Sequence, residues 1–431
     1  MKIYAVGGSV RDELMGREPH DKDYVVVGST PEEMLSLGYK QVGNDFPVFL
    51  HPETHEEYAL ARKEVSTGKG YDDFKFDFNP NITLREDLER RDFTVNAIAK
   101  DIETGEIIDY FGGQKDIENR MLQAVNPKYF IDDPLRLIRG ARFCQQLNFK
   151  LSSNTVDLCK HMVREGMLEH LTEERVWKEI EKALYYPNFH VFLYWLDEVN
   201  ALKIILPEIY ELKNIPENTF WHPEGNVYAH TVMALARASQ YIYGGTSDAL
   251  INFGVLCHDL GKQLTPKDKL PSHHGHDDVG GEIVERLCAR LKIPNVYRDF
   301  GKLCCKQHMR FYKFLDMKRK NQYDMINEIT KFKDKLTLHL LQYVHLCDLH
   351  GKERPATTEE VEYSVKTIDL QNVIFDIMEG VGLDSLPEET QKHLSKFTGK
   401  EFGKLYRDAK ISYLKHELGK WNLKKTQQAL N

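Results

Sequence analysis

The N-terminal stretch at residues 2–27 carries the pattern that most restricts how this chain can fold. Apolar runs at residues 3–6 and 24–27 predict two short strands, and the glycine pair between them predicts a tight turn into a short helix. Backbone N–H groups at such a turn can approach a phosphate closely. Asp21 and Asp23 stand where the second strand begins, and residues two apart on a strand point to the same face. We therefore expect two converging carboxylates beside a phosphate-binding turn.

Two carboxylates in this position suit Mg²⁺ in phosphoryl transfer. Mg²⁺ prefers oxygen ligands and is rarely enclosed by protein alone, which leaves coordination positions for triphosphate oxygens and water. Such ions activate an attacking hydroxyl group and stabilise a leaving pyrophosphate. A glycine pair alone is usually only a turn, and Asp-x-Asp at the start of a strand is usually a solvated edge. The combination of GGxVRD with DxD is much more specific than either part.

These motifs resemble the signature of the nucleotidyltransferase superfamily, and specifically its class II branch of tRNA nucleotidyltransferases and bacterial poly(A) polymerases. The resemblance implies that Asp21 and Asp23 are catalytic and bind Mg²⁺, and that Gly8 and Arg11 hold the incoming nucleotide. The family also has a third carboxylate beside this pair. No motif places it in this chain, and Asp109, at the end of a predicted strand at residues 106–110, is one candidate.

The segment RRDFTVNA, at residues 90–97, matches the second motif of the same family. A capping box from Thr83 to Glu86 predicts a helix that begins there and carries the segment. On that helix, Arg91 would offer a delocalised cation to triphosphate oxygens, while the apolar residues of the segment pack. Paired arginines on a helix are otherwise most often exposed to solvent. Their position after DxD favours a phosphate clamp.

A third motif, DDPLRLIRGARF at residues 132–143, predicts a helix with Asp133 as its N-cap and proline in the first position. Three arginines follow at a spacing that places them on one face: Arg136, Arg139 and Arg142. The segment resembles the nucleotide-selecting motif of the family, which reads the incoming base without a nucleic-acid template. The resemblance implies that Asp133 reads the base and that Arg136 and Arg139 hold the nucleotide, whereas Asp132 stands where the family usually has glutamate. The alternative is a capped helix with a basic stripe.

The chemistry of a carboxylate and an arginine acting together favours C and A. Cytosine and adenine each present an exocyclic amine beside an unprotonated ring nitrogen, so the carboxylate can accept from the first and the arginine can donate to the second. Uracil and guanine present a carbonyl beside a ring N–H, which reverses both partners. The mismatch leaves buried polar groups unpaired, and this can discriminate by several orders of magnitude.

The C-terminal half contains histidines and aspartates of the kind that bind metal ions. Four of them, in order along the chain, are His230, His258, Asp259 and Asp348. This order resembles the HD phosphohydrolase superfamily, whose ligands run His…His-Asp…Asp, and His276 and His308 stand where many members place further histidines. Imidazole and carboxylate ligands suit a transition metal, such as Ni²⁺, Mn²⁺ or Co²⁺, that activates a water on a phosphoester. For any single histidine, the alternative is a buried residue of the core whose hydrogen bonds are made within the protein.

The composition excludes several other classes of protein. The chain has 431 residues, of which 41% are hydrophobic and 29% charged, as in a soluble globular protein. A chain of this length divides into roughly two to four domains. It has no apolar run as long as a membrane span and leads from Met1-Lys2 straight into a strand, so we predict no signal peptide or anchor. Seven cysteines without a CxxC pair indicate reduced thiols and a cytoplasmic protein.

The net charge of −8 limits any RNA contact to local basic patches, and one such patch lies at the C-terminus. Residues 391–431 contain ten Lys/Arg and three Asp/Glu, a net charge of +7, with Tyr406, Tyr413 and Trp421 between the lysines. This segment could hold an RNA backbone and stack a base, and a solvated helical end is the alternative. Residues 63–79 are interpreted as a mobile loop near the active site, and residues 215–228 as a linker.

We therefore predict an α+β protein with four parts. A small mixed-sheet nucleotidyltransferase head occupies residues 1–125 and a helical neck with the nucleotide-selecting motif residues 126–214. An HD phosphohydrolase domain follows at residues 228–355, and a basic helical tail at residues 356–431. Apart from that motif, the neck is predicted to serve packing alone.

The order of these parts resembles the HD-containing bacterial CCA-adding enzymes. The resemblance implies stepwise addition of C, C and A to the 3′ end of tRNA from CTP and ATP, by a monomer that is able to dimerise. It also implies phosphatase, 2′-nucleotidase and 2′,3′-cyclic phosphodiesterase activity in the HD domain. A poly(A) polymerase or a CC- or A-adding enzyme is the alternative within the class. An HD phosphohydrolase whose head only binds nucleotide is the alternative outside it.

Overall fold

The computed structural model describes residues 1–19, 22–42, 48–66, 74–77 and 79–430, and for residues 64–66, 74–76 and 423–430 it describes the backbone alone. The chain forms two compact units, Met1–Pro207 and Glu208–Asn431. The first unit contains all the strands, and the second is helical in its described residues. The predicted α+β class is confirmed, while the division into four parts stays a prediction.

The strands of the first unit are β1 Lys2–Val6, β2 Asp23–Val27, β3 Lys40–Val42, β4 Val48–Leu50, β5 Glu57–Leu60, β6 Lys63–Ser66, β7 Phe74–Asp77, β8 Ile98–Asp101, β9 Ile107–Asp109, β10 Met121–Leu122 and β11 Lys150–Leu151. Seven of them form the main sheet, in the order β3-β4-β5-β2-β1-β8-β9. Neighbouring strands of this sheet are antiparallel, except that β2 and β5 run parallel. A two-stranded antiparallel sheet pairs β6 with β7, and a short parallel pair joins β10 to β11.

Both faces of the main sheet are covered at its centre. Successive residues of a strand point to opposite faces, and β2 has the run of valines that such burial requires. Val25 packs on one face with Val6 and Leu88, while Val26 packs on the other with Phe49. Full burial of such a side chain contributes about 1.5–3 kcal/mol. The ends of β1 and β2 are thereby fixed in place.

The helices of the first unit lie before, between and after the strands. They are α1 Gly8–Leu14, α2 Pro31–Ser36, α3 Leu84–Glu89, α4 Gly113–Glu118, α5 Pro127–Asp132, α6 Leu135–Leu147, α7 Ser153–Arg164, α8 Glu173–Leu184, α9 Phe189–Glu198 and α10 Leu202–Ile205. Short 3₁₀ turns occur at Thr94–Asn96 and Met167–His170. The capping box predicted at Thr83 is present with both of its hydrogen bonds.

The second unit is a stack of helices. These are α11 Pro207–Tyr210, whose first residue is the last of the first unit, and then α12 Val227–Ala238, α13 Thr246–Cys257, α14 His276–Arg290, α15 Asn295–Phe311, α16 Arg319–Thr330, α17 Lys335–His350, α18 Thr358–Met378, α19 Glu388–Leu394 and α20 Gly399–Leu430. The seven cysteines of the chain are all buried and free. Searching the described residues finds no helix with the length and apolar character needed to cross a membrane.

Three local predictions are wrong. The helix begun at Thr83 ends at Glu89, so RRDFTVNA lies on a bend and a 3₁₀ turn, because Phe93 is extended and forms a bridge with Ala124. Residues 63–79 are not simply a loop, since their described parts form the β6–β7 pair. Residues 215–228 are not a linker: Pro216 and Asn226 form a bridge, and the loop between them packs on the histidine cluster described below.

Candidate active sites

The first unit holds a cavity of ≈ 730 Å³ at the end of β1 and β2. The glycine turn, the loop after α3, and helices α6 and α8 complete its walls. Three sequence motifs that are far apart in the chain, GGSVRD, RRDFTVNA and DDPLR, therefore meet around one space. The helical neck also contributes, through Arg175 of α8, although no chemistry was predicted for that helix.

Acidic residues occupy the strand ends of this cavity. Asp23 is the first residue of β2, is exposed and lines the cavity, whereas Asp21 lies outside the described residues. Glu57 of β5 lies directly opposite Asp23 in the parallel register, and it too is exposed and lines the cavity. Sequence reasoning missed Glu57, because the pairing of β2 with β5 is visible only in the folded sheet.

Asp109, the candidate for a third acid, has a different place. Its carboxylate accepts hydrogen bonds from the backbone N–H groups of Gly113 and Gln114, both at 2.9 Å, and from that of Phe111 at 3.2 Å. It thereby holds the first turn of α4, and it is not among the residues that line the cavity. The prediction that Asp109 is the third carboxylate beside Asp21 and Asp23 is therefore wrong.

The glycine turn lets an arginine approach the backbone closely. Gly7 has a φ of +76°, and a Cβ built there would lie 3.0 Å from Nη1 of Arg91. Gly8 opens α1 one residue later, and both glycines line the cavity. Arg11 of the same helix is buried, and its Nη1 donates to the side-chain oxygen of Asn96 at 2.7 Å. The first and second motifs are thus joined by a direct hydrogen bond.

A buried polar network continues from Asn96 into the third motif. Asn96 donates to Asp92 at 3.0 Å, and the other carboxylate oxygen of Asp92 accepts from Nη2 of Arg139 at 2.7 Å. Burial alone would raise the pKa of Asp92, but Arg139 and Asn96 outweigh it and hold that pKa well below its ordinary value. Asp92 and Asn96 belong to the RRDFTVNA motif, yet they were assigned no role from sequence.

Helix α8 supplies a second acid to the same arginines. Glu179 is 3% exposed, and its carboxylate accepts from Nε of Arg142 at 2.6 Å. Burial raises the pKa of Glu179, but Arg142 and Arg139 more than offset this and lower it. Removing one partner from a buried pair of this kind costs about 3–5 kcal/mol. Helix α8 is therefore bound to the third motif electrostatically as well as by packing.

Asp133 and Arg136 both line the cavity but contact different partners. Asp133 pairs with Arg175, whose Nη2 lies 3.0 and 3.1 Å from its two oxygens, and it accepts from the N–H of Leu135 at 3.2 Å. It therefore bonds the first turn of α6 as a cap would, although the helix begins at Leu135, two residues after it. Arg136 is buried and donates to the carbonyl oxygens of Arg90 at 2.7 Å and Arg91 at 3.4 Å.

The cavity is rich in guanidinium groups. The arginines that line its described part are Arg11, Arg62, Arg90, Arg91, Arg136, Arg139, Arg142 and Arg175. Asp87, which is wholly buried, holds two of them, with 2.8 Å to Arg90 and 3.3 Å to Arg91. Guanidinium groups match phosphate oxygens in geometry and charge. The arrangement fits a triphosphate whose reacting end faces Asp23.

The second unit holds a cluster of histidines and acids at the junction of five helices. His230 lies on α12, His258 and Asp259 follow α13, His276 opens α14, His308 lies on α15 and Asp348 on α17. All six are buried, and they fall into two groups able to hold a metal ion: His230, His258 and Asp348, and then Asp259, His276 and His308. The structure therefore brings together every residue that the sequence assigned to this site.

Asp259 stands between the two groups. Its Oδ2 lies 3.2 Å from Nε2 of His258, while its Oδ1 lies 3.3 Å from Nε2 of His308 and 3.4 Å from Nε2 of His276. The two latter nitrogens are only 3.0 Å apart. One carboxylate thus faces both groups, as a ligand shared by two ions would.

The tautomers fit metal binding. Nδ1 of His258 lies 2.7 Å from the carbonyl oxygen of Val255, so it carries the proton and leaves a lone pair on Nε2. That Nε2 is buried and makes no contact of hydrogen-bond geometry among the described residues, and it faces Oδ2 of Asp259 at 3.2 Å. His308 repeats the pattern, with Nδ1 2.8 Å from the carbonyl oxygen of Cys305. A buried acceptor without a donor is costly, and a metal ion would satisfy it.

Several residues around this cluster were missed from sequence. Lys262 is buried between Asp259 at 2.8 Å and Glu217 at 2.6 Å. Burial lowers the pKa of Lys262, but the two carboxylates outweigh it and raise that pKa. Glu224 accepts from Nδ1 of His230 at 3.2 Å and orients its ring. Lys262 could have been noticed as the end of the HDLGK run, whereas the two glutamates lie in the presumed linker.

Close packing at Gly261 gives a test of this arrangement. A Cβ at Gly261 would lie 2.0 Å from the carbonyl oxygen of His276, so Gly261→Ala should lower the free energy of unfolding of the second unit by about 3 kcal/mol or more. Urea unfolding followed by circular dichroism measures the change. Gly281→Ala on α14 is the matched control, because its Cβ would make only ordinary contacts of 3.5–3.8 Å with Lys302. Equal stability of the two variants would contradict the packing described.

Comparison with known proteins places the chain in a family. Residues 3–123 match the family model of the poly A polymerase head domain, and residues 148–212 match that of the probable RNA- and SrmB-binding site of polymerase A. The chain is 43% identical over 367 residues to a multifunctional CCA protein of Pasteurella multocida, covering 84% of this chain and 86% of that one. It belongs to the multifunctional CCA protein family. A Shewanella denitrificans relative of the same name is 43% identical over 387 residues, covering 87% of this chain and 92% of the relative.

Solved structures of CCA-adding enzymes share the fold. An apo form aligns with a TM-score of 0.65 at 20% identity, covering 96% of this chain and 88% of that one. A complex of a CCA-adding enzyme with ATP aligns with a TM-score of 0.63, and one with CTP with 0.61, both at 20% identity. Each alignment covers 96% of this chain. It covers 86% of the chain in the ATP complex and 87% of the chain in the CTP complex. As a CCA-adding family member, the chain is a nucleotidyltransferase.

Proposed function

We propose that this protein adds C, C and A in turn to the 3′ end of tRNA, using CTP and ATP and releasing pyrophosphate. The observation that carries the proposal is the convergence of Asp23, the glycine turn and the arginine group on one cavity. CCA-adding enzymes of similar fold have been solved in complex with ATP and with CTP, which supports these two nucleotides as the substrates. The same proposal includes a cytoplasmic location, a monomer that is able to dimerise, and contact of the basic tail with tRNA.

Asp21, Asp23 and Glu57 are the proposed Mg²⁺ ligands. Carboxylates at the exposed ends of neighbouring strands offer the oxygen donors that Mg²⁺ prefers. Bound there, Mg²⁺ would lower the pKa of the tRNA 3′ hydroxyl and stabilise charge on the leaving pyrophosphate. The chain itself orients the triphosphate through Gly8, Arg11 and the arginines of the second and third motifs.

Base selection is assigned to the third motif. Asp133 is proposed to accept from the exocyclic amine of C or A and Arg136 to donate to the adjacent ring nitrogen, with Arg139 on the nucleotide. Arg175, which touches both oxygens of Asp133, is proposed to fix the direction in which that carboxylate points. Since Asp133 also bonds the first turn of α6, its orientation is set by two elements.

Asp133→Ala should lower the use of both CTP and ATP by about 10- to 100-fold, because a hydrogen bond to a charged group is lost. The same variant should incorporate UTP or GTP more readily while tRNA binding is unchanged. Arg136→Ala should have the same direction of effect. Single-nucleotide incorporation into tRNA lacking its CCA end measures both changes.

Asp157→Ala is the control, since Asp157 is exposed on α7 and does not line the cavity. Unchanged fidelity with loss of stability alone would show that Asp133 only caps α6. The same tRNA assay with each nucleotide singly and combined separates CCA addition from poly(A) synthesis and from CC- or A-addition.

We further propose that the second unit hydrolyses phosphomonoesters and 2′- and 2′,3′-cyclic nucleotides. The observation that favours it is a pair of buried metal-binding groups linked by Asp259, which belongs to one group and whose Oδ2 lies 3.2 Å from Nε2 of His258 in the other. His230, His258, Asp259 and Asp348 would hold a first ion, and His276 and His308 would hold a second with Asp259. Ni²⁺, Mn²⁺ or Co²⁺ would supply a water that is partly hydroxide near neutral pH.

A further inference from the structure

An aromatic side chain lines the cavity of the histidine site without taking part in the metal cluster. Trp221 borders this cavity of ≈ 610 Å³ and is 50% exposed. Its neighbour Phe220 is 71% exposed and packs edge-on against it, with ring centroids 4.9 Å apart, but does not line the cavity. An exposed indole that borders a cavity is typical of a surface that binds a flat group.

The loop that carries Trp221 is held rigidly. The carbonyl oxygen of Asn218 accepts from the N–H groups of Trp221 at 3.0 Å and His222 at 2.8 Å, and its side chain accepts from the N–H of Phe220 at 3.0 Å. His222 is in turn bonded to Glu224 at 2.9 Å. Trp221 is therefore positioned before any ligand arrives, which lowers the entropy cost of binding.

A cation lies on the ring of Trp221. The guanidinium carbon of Arg354 lies 5.2 Å from the ring centroid, and Nη2 of Arg354 is fixed by Glu360 at 2.6 Å. Stacking of this kind orients an indole, and half of the residue stays exposed. Trp221 is also one residue from His222, whose ring packs 4.7 Å from that of His230. The indole thus lies beside the site at which a phosphoester would be cleaved.

We propose that Trp221, backed by Arg354, is a stacking platform for a nucleobase, so that the histidine site acts on nucleotides in preference to other phosphoesters. This inference rests on the proposed hydrolysis by the second unit. A phosphate at the histidines and acids and a base on the indole would be joined by a ribose. Every base has a flat face, so such a platform selects nucleotides as a class and favours the larger purines. Lys352, which also lines the cavity, adds a positive charge to its wall.

The test compares two secondary phosphomonoesters, 2′-AMP and glycerol 2-phosphate, of which only the first has a ring. In the full-length protein loaded with Ni²⁺ or Mn²⁺, Trp221→Leu should raise KM for 2′-AMP about tenfold or more, in keeping with the loss of one stacking contact. KM for glycerol 2-phosphate and kcat for both substrates should be unchanged. Trp221→Phe should recover most of the affinity, and Phe220→Leu is the matched control without effect.

A second readout needs no metal and no turnover. The chain has four tryptophans, and 2′-AMP should quench part of their fluorescence in the metal-free protein; that part should vanish in Trp221→Leu but not in Phe220→Leu. If the native protein hydrolyses neither ester, the hydrolase proposal fails and this quenching alone decides whether Trp221 stacks on a base. An equal change in KM for both esters, or quenching that Trp221→Leu leaves intact, would overturn the platform.

Discussion

Asp23→Ala should abolish the addition of C and of A together, with kcat lower by about a thousandfold or more while tRNA still binds. The reason is that the same strand-end carboxylates serve whichever nucleotide fills the cavity, and metal-bound groups of this kind supply several kcal/mol of stabilisation to the transition state. Single-turnover incorporation of labelled CTP and of labelled ATP measures the effect. A variant that loses one nucleotide and keeps the other would refute a shared metal site.

A variant of Glu57 tests whether this residue is the third carboxylate of the metal site. Glu57→Gln should lower both additions, because Glu57 lies opposite Asp23 in the sheet and faces the same cavity. Glu56→Gln, one residue earlier and outside the cavity, should leave them unchanged. Asp21→Ala is expected to behave like Asp23→Ala. If Glu57→Gln keeps full activity, the third carboxylate lies elsewhere.

The double variant His258→Ala with Asp259→Ala should lose hydrolysis of phosphomonoesters and cyclic nucleotides by about a hundredfold or more, yet keep CCA addition. Both residues face the metal-binding groups, and loss of a shared ligand removes the activated water. Phosphate release and tRNA labelling, measured on the same preparation, give the two activities. Asp23→Ala should show the reverse, with hydrolysis kept and addition lost.

Two controls separate this outcome from misfolding. His350→Gln alters a histidine two residues after Asp348 that belongs to neither metal-binding group, so it should change nothing. Chelation followed by Mg²⁺ alone should restore CCA addition but not hydrolysis, and Ni²⁺ or Mn²⁺ should then restore hydrolysis. Full hydrolysis by the double variant would mean that His258 and Asp259 are residues of the core.

The sequence motifs predicted which residues come together in the two sites better than they predicted where the helices and strands begin and end. The three motifs of the first unit do surround one cavity, and the histidines and acids of the second unit do form one cluster. Local patterns set the strands β1 and β2 and the capping box at Thr83, because these depend on neighbouring residues. The end of α3 at Glu89 could not be foreseen, since a contact with distant Ala124 holds Phe93 extended.

Glu57, Arg175 and Trp221, which sequence reasoning missed, have in common that their partners are remote in the chain. Glu57 meets Asp23 only through the parallel pairing of β5 with β2. Arg175 reads as part of an ordinary amphipathic helix until Asp133 is seen beside it. The segment around Trp221 has the composition of a linker, rich in proline, glycine and asparagine, and its function depends on the helices against which it packs.

The internal ion pairs of the arginine-rich cavity affect how it could bind one nucleotide after another. Its arginines already have internal counterions, with Asp87 on Arg90 and Arg91, Asp92 on Arg139 and Glu179 on Arg142. An entering triphosphate would therefore share these guanidinium groups with the protein's own carboxylates, because a guanidinium group has five N–H donors, and part of the Coulomb attraction would be cancelled. Each arginine would keep its internal partner when the triphosphate is consumed. A cavity balanced in this way is suited to empty and refill three times on the same growing end.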